Sequence, residues 1–213
     1  MLIEKLEKCR VVPVVTIDDA DNAVPLCMAL EAGGLEVVEF TFRTEAAADA
    51  ICLVATAMPD FLVGAGTLLT PESVDAAKDA GAGFGVAPGL NARVVQRAQS
   101  IDLPFFPGVC TPNDVEAAIE LGCLTLKFFP AEAAGGIKML NAIHAPYAHL
   151  GVRFMPTGGI NVENVSHYLG HASVIAAGGT WIAPANLIRN QNWTEISARA
   201  HAVTDSIAKL RQA

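Results

Sequence analysis

The chain has 213 residues, 52% of them hydrophobic, with 18 glycines and 12 prolines, enough apolar side chain for one large buried core and no low-complexity stretch to mark a linker. A formal net charge of −8 argues against nucleic acid as a partner, and it means that an anionic ligand has to be held by local groups against the overall field. No apolar run reaches the ~18 residues of a membrane span, Met1–Arg10 lacks a signal-peptide pattern, and five cysteines without a close pair suit reduced thiols in the cytoplasm.

Leu2–Arg10 reads as a short amphipathic helix and Val11–Thr16 as the first strand. Asp18–Asp19 cap a helix that runs to Ala32 and stops at Gly33–Gly34. The strands that follow are predicted at Val37–Phe42, Phe61–Thr67, Gly83–Pro88, Pro104–Val109, Leu124–Phe129, Arg153–Pro156 and Ser173–Ala177. Helical stretches fall between them at Glu45–Ala57, Pro71–Ala80, Ala92–Ser100, Pro112–Leu121, Gly136–Ile143 and Val162–Leu169, and Trp193–Leu210 closes the chain. Eight successive strand–helix units, with strands too apolar for either face to meet water, predict a (β/α)8 TIM barrel with an N-terminal helix, as one domain over 1–213. An open doubly wound sheet is the alternative. An internal repeat supports the barrel. Thr70–Pro71 and Thr111–Pro112 each open a helix with a threonine cap and a proline at its first position, and Gly81 and Gly122 end them two units apart.

Chemistry is expected at the ends of these strands. Along Val37–Arg43, alternation puts Glu39, Thr41 and Arg43 on one face with Val37, and Val38, Phe40 and Phe42 on the other. Leu124–Pro130 is an apolar run with Lys127 inside it. Burial disfavours an ammonium, so such a lysine is either paired with a carboxylate or kept partly neutral to attack a carbonyl. Glu39 and Lys127 each follow a helix-ending glycine, Gly34 or Gly122, by the same offset, which puts them at similar height on facing strands. Both a nucleophile with its proton shuttle and a structural ion pair fit that placement. Gly64–Ala65–Gly66–Thr67, Val86–Ala87–Pro88–Gly89 and Phe106–Pro107–Gly108 put small residues at other strand ends, where they would open space for a ligand. Thr157–Gly158–Gly159–Ile160 and Gly178–Gly179–Thr180 put glycine pairs after the last two strands, where N–H groups at helix starts would cradle a phosphate. His144, His149, His167, His171 and His201 fall in or beside helical stretches and form no ligand pair at a strand end, so no metal is expected.

The segments Val37–Glu45, Val63–Thr67, Ala87–Gly89, Lys127–Glu132, Pro156–Ile160 and Gly178–Trp181 closely resemble the bacterial class I 2-keto-3-deoxy-6-phosphogluconate (KDPG) aldolases, also called 4-hydroxy-2-oxoglutarate (KHG) aldolases. The Lys–Phe–Phe–Pro–Ala–Glu run is the most specific of them, and the likeness extends from about Val12 to Pro184. It implies a homotrimeric barrel, needing neither metal nor cofactor, that cleaves a keto-acid sugar phosphate to pyruvate and glyceraldehyde 3-phosphate through a lysine Schiff base. It implies that Lys127 forms the imine and Glu39 moves protons. Arg43 and Thr67 would hold the pyruvate carboxylate, Pro88 and Phe129 would wall the pocket, and Gly158, Gly159, Gly179 and Thr180 would bind phosphate. Thr180 stands where the family often has serine. The alternatives are an aldolase for the galactonate-derived epimer, with Thr157 as reader of the differing hydroxyl, a phosphosugar isomerase using Glu39 as base, and a barrel that binds a phosphorylated ligand without turnover.

Overall fold

The computed structural model describes residues 2–210, and every strand ladder within them is parallel. Helix α1 (Leu2–Cys9) leads into β1 (Val11–Val15), α2 (Ala23–Ala32), β2 (Val37–Thr41), α3 (Ala47–Ala57), β3 (Leu62–Gly66), α4 (Pro71–Asp79), β4 (Phe84–Val86) and α5 (Ala92–Ser100). The chain continues through β5 (Phe105–Phe106), β6 (Gly108–Val109), α6 (Pro112–Glu120), β7 (Thr125–Phe128), α7 (Gly136–His144), β8 (Arg153–Pro156), α8 (Val165–Leu169), β9 (Ala177–Gly179), α9 (Ala185–Arg189) and α10 (Trp193–Leu210). This is an α/β fold on two parallel sheets, six strands in the order β5-β4-β3-β2-β1-β9 and three in the order β6-β7-β8.

Most ends shift by one or two residues from those read off the sequence, and three elements depart further. The strand expected over Pro104–Val109 is split, with Phe105–Phe106 pairing to β4 and Gly108–Val109 to β7. Pro107 has no N–H to donate, so the ladder breaks at that residue. The last strand, expected at Ser173–Ala177, pairs regularly only over Ala177–Gly179, against Val11–Pro13. It touches its other neighbour in isolated bridges, Phe154 to Val174 upstream and Thr157 to Gly178 within the strand. Its glycines carry no strand propensity and read as a loop, yet a parallel ladder needs only their backbone. Helix α8 is regular only from Val165 and not from Val162, although its lead-in turn is capped: Asn161 Oδ1 accepts from the Glu163 and Asn164 N–H groups at 3.0 and 3.2 Å, and the Val165 N–H reaches the Asn161 carbonyl at 3.0 Å.

The repeated helix starts form as expected. Thr70 Oγ1 accepts from the Ser73 N–H at 3.2 Å while Ser73 Oγ accepts from the Thr70 N–H, and Thr111 with Asp114 makes the same reciprocal box. Burial pushes the Asp114 carboxyl up, but N–H donors from Cys110 and Thr111 outweigh it and hold the group below its ordinary value.

Alternation along the strands sorts the core into two parts. Val11, Val38, Phe40, Ala65, Leu126 and Phe128 face the helices and pack in the larger cluster with Leu26, Leu30, Ile51 and Val74. Val12, Val37, Phe84, Val86, Phe106 and Met155 face the other way, and these residues of both sheets share one smaller cluster. Leu6 of α1, fully buried, joins that cluster, with Leu2 and Ile3 packed against it. The amphipathic first helix is therefore a plug over the apolar end of the inner face. Truncating Leu6 to alanine there would cost about 2–5 kcal/mol.

Candidate active site

Two residues past Val37, the same face of β2 presents Glu39, and across from it β7 presents Lys127 between the helix-facing Leu126 and Phe128. Glu39 is fully buried and Lys127 is 5% exposed. Lys127 Nζ lies 3.2 Å from Glu39 Oε1 and 5.6 Å from the centre of the Phe129 ring. The pair thus joins a strand of one sheet to a strand of the other, by direct contact.

The small residues of β3 serve a different purpose from the one expected. A Cβ added at Gly66 would stand 2.1 Å from Glu39 Oε1, and one at Gly64 would stand 2.1 Å from the Phe84 ring. These glycines make room for protein side chains, the Glu39 carboxylate among them, and not for a ligand.

Among the described residues, Glu39 Oε2 and Thr157 Oγ1 are buried side-chain oxygens without a hydrogen-bond partner. Leaving such a group unsatisfied costs about 1–3 kcal/mol. Both residues line one cavity of about 170 Å³.

All eleven residues singled out from the sequence line this cavity. Lys127 and Glu39 form its dry end. Thr157 follows β8, Phe129 follows β7, and Pro88 follows β4. Arg43 leaves β2 in a tight turn, its N–H on the Thr41 carbonyl at 2.7 Å, and reaches the cavity from an exposed position. Thr67, just past β3, sits at φ +60°, where a β-branched residue is strained by about 1–3 kcal/mol. Gly158 and Gly159 line the opposite end with Gly179 and Thr180. Val14, Thr41 and Ile160 line it as well. Thr41 was on the right face by alternation with Glu39, and Val14 lies beside Glu39 in the β1–β2 ladder, a pairing that strand order supplies.

One expectation about the glycine end is corrected. Only the second glycine pair departs from it: α9 starts at Ala185, more than a turn beyond Gly179, whereas the Asn161–Asn164 box opens the turn into α8 directly after Gly158, Gly159 and Ile160. The helix dipole acts within its first turn, so an anion at Gly179 would be met by loop N–H groups instead. A wider, open groove of about 690 Å³ between α2 and α10, lined by Pro25, Met28, Trp193 and His201, has no amine–carboxylate pair, and size alone does not locate the chemistry.

A buried amine beside a buried carboxylate, at one end of parallel strands, suits an enzyme that works on carbonyls through an imine. A family model for the KDPG and KHG aldolases matches residues 2–199. The chain is 48% identical over 206 residues to the 2-dehydro-3-deoxy-phosphogluconate aldolase of Haemophilus influenzae, covering 97% of this chain and 96% of that protein. It is 40% identical over 200 residues to the KHG/KDPG aldolase of Escherichia coli K12, covering 94% of this chain and 92% of that one. The crystal structure of KDPG aldolase from Legionella pneumophila, with pyruvate captured at low pH as a covalent carbinolamine intermediate, matches with a TM-score of 0.91 at 39% identity, covering 95% of this chain and 98% of that one. The chain belongs to the KDPG and KHG aldolase family. It is therefore an aldolase, a lyase.

Proposed function

We propose that this aldolase cleaves 2-keto-3-deoxy-6-phosphogluconate reversibly to pyruvate and D-glyceraldehyde 3-phosphate, and also 4-hydroxy-2-oxoglutarate to pyruvate and glyoxylate, with Lys127 as nucleophile. One observation carries the reading: Lys127 Nζ stands 3.2 Å from Glu39 Oε1, both residues are buried, and both line one cavity with Thr157. Glu39 takes a proton from Lys127, and the freed amine adds to the C2 carbonyl of the substrate to give a carbinolamine. Loss of water leaves an iminium. Removal of the C4 hydroxyl proton then breaks the C3–C4 bond, the electron pair passes into the iminium as an enamine, and the aldehyde departs. Protonation of the enamine at C3 and hydrolysis return pyruvate and the free lysine. We assign each proton transfer to Glu39, whose Oε1 stands 3.2 Å from the amine. Arg43 and Thr67 hold the pyruvate carboxylate, Pro88 and Phe129 wall the pocket, Thr157 meets the substrate hydroxyls, and the loop N–H groups of Gly158, Gly159, Gly179 and Thr180 take the phosphate.

We also infer that the two sheets form one closed (β/α)8 barrel in a single domain. Pro107 alone separates β5 from β6, two bridges link the β8 strand to the one that becomes β9, and the inner faces of both sheets share one apolar cluster and one ion pair. The family likeness carries a homotrimer acting in the cytoplasm, and sedimentation at the mass of a trimer is the check. For the chemistry, the protein is incubated with pyruvate, reduced with borohydride, and mapped by peptide mass. A reduced pyruvate adduct on Lys127 is expected; an adduct on another lysine, or none, would overturn the assignment.

A further inference from the structure

We propose that Asn164 is a positioning residue for the phosphate end of the cavity, resting on the reading that the Gly158–Gly159 loop takes the phosphate. Three successive carbonyls of this loop are each held by a donor. Thr157 O accepts from the Ala131 N–H at 2.8 Å, Gly158 O from the Glu132 N–H at 3.0 Å, and Gly159 O from Asn164 Nδ2 at 3.1 Å. The first two donors are backbone. The third is a side chain, and it alone depends on residue type.

A trans peptide is planar, and its N–H points opposite to its C=O. Holding the Gly159 carbonyl on Asn164 therefore sets the direction of the Ile160 N–H to the other side, and Ile160 lines the cavity. The constraint matters because Gly158 and Gly159 lie at φ +101° and +80°, in a stretch whose glycines allow other peptide orientations at little cost. Asn164 is itself fixed at both ends of its amide. Its Oδ1 accepts from the Asn161 N–H at 2.9 Å while its Nδ2 donates to Gly159 O. A residue that only capped the turn would need the acceptor. The donor aimed back at Gly159 serves the loop.

The test uses the full chain and Asn164→Ala, with steady-state cleavage of 2-keto-3-deoxy-6-phosphogluconate and of unphosphorylated 4-hydroxy-2-oxoglutarate. Losing one oriented donor to a charged group should raise KM for the phosphorylated substrate about tenfold. Both kcat values, KM for the unphosphorylated substrate and the rate of borohydride trapping with pyruvate should stay within about twofold of wild type. Asn164→Asp keeps the acceptor that closes the turn and loses the donor, so it should fold like wild type and show at least as large a rise in KM. Equal losses on both substrates, or a wild-type KM in Asn164→Asp, would overturn the proposal. The wild-type protein separates this from the reading beneath it. If inorganic phosphate does not compete with the phosphorylated substrate even there, the phosphate assignment of the loop is wrong; if it competes and Asn164→Ala retains wild-type KM, only the role of Asn164 falls.

Discussion

The two ends of the cavity are made in different ways. At one end side chains on strands meet, Glu39 from β2 and Lys127 from β7, both buried. At the other end the lining is mostly backbone, from Gly158–Gly159 after β8 and from Gly179–Thr180 at the end of β9. A strand end is specified by which side chain stands at which position, so one substitution removes its chemistry and leaves the backbone in place. A loop end is specified by which Cβ atoms are missing, and the same dipeptide can be required for unrelated reasons. Gly158 and Gly159 are in the left-handed region, with φ +101° and +80°. Gly178 and Gly179 are not; added Cβ atoms there would stand 2.4 Å from Thr157 Oγ1 and 1.7 Å from the Trp181 ring. The first pair bends the chain, and the second lets side chains lie against it.

The sharpest way to break the contrast is at Lys127. Lys127→Met removes the amine with little change in length, so cleavage should fall by at least ~10⁴-fold and the borohydride adduct should vanish. Residual cleavage near the wild-type rate would mean that the side-chain end does not carry the reaction.

Glu39 comes next, and here catalytic and structural roles predict different measurements. Glu39→Gln keeps the shape and removes the base. As proton shuttle, its loss should slow cleavage and the exchange of pyruvate methyl protons in deuterated water together, by about 10²–10⁴-fold, in a protein that melts near wild type. As a mere partner of a buried ammonium, its loss would strand a charge at a cost of roughly 3–5 kcal/mol and leave exchange untouched in whatever folds.

These two residues were also the legible part of the molecule. Alternation along Val37–Arg43 separated Glu39 and Thr41 from Phe40, and equal offsets from Gly34 and Gly122 matched Glu39 in height to Lys127, with which it makes contact. Both inferences use periodicities that the backbone imposes on any sequence. What stayed hidden was contact between distant segments. Gly66 read as space for a ligand because nothing local shows that the Glu39 side chain fills it. The glycine pair after the last strand read as a helix start because nothing local shows that α9 waits until Ala185. The break in the strand at Pro107 was readable in principle, since proline cannot donate to a ladder.

The two glycine loops can be told apart by rescue. Gly179→Ala drives a Cβ into Trp181, so replacing Trp181 by alanine in the same chain should restore much of the lost affinity for the phosphorylated substrate. Gly159→Ala places a Cβ 2.6 Å from Glu132 Cβ and also forces an L-residue to φ +80°, a strain of about 1–2 kcal/mol that no change at Glu132 relieves. The double variants with Trp181→Ala and Glu132→Ala, compared by KM and by melting temperature, should therefore differ: non-additive for the first and additive or worse for the second. Gly179→Val alone is a poor probe of anion binding, because displacing Trp181 disturbs the loop whether or not phosphate binds there. Equal rescue in both pairs would erase the distinction drawn here.

The smallest effect is expected at Thr180, exposed at the cavity's glycine end. The hydroxyl can donate to a phosphate oxygen, and the methyl adds bulk that serine lacks. Thr180→Ser keeps the donor, so KM for the phosphorylated substrate should move by no more than about threefold, and downward if the methyl crowds the site. Thr180→Val keeps the shape and removes the donor; a lost hydrogen bond to a charged group should raise that KM about tenfold. Unphosphorylated 4-hydroxy-2-oxoglutarate serves as the control in both, with KM and kcat unchanged. If serine and valine behave alike on the phosphorylated substrate, the hydroxyl does not reach the phosphate, and the loop end binds its anion through backbone N–H groups alone.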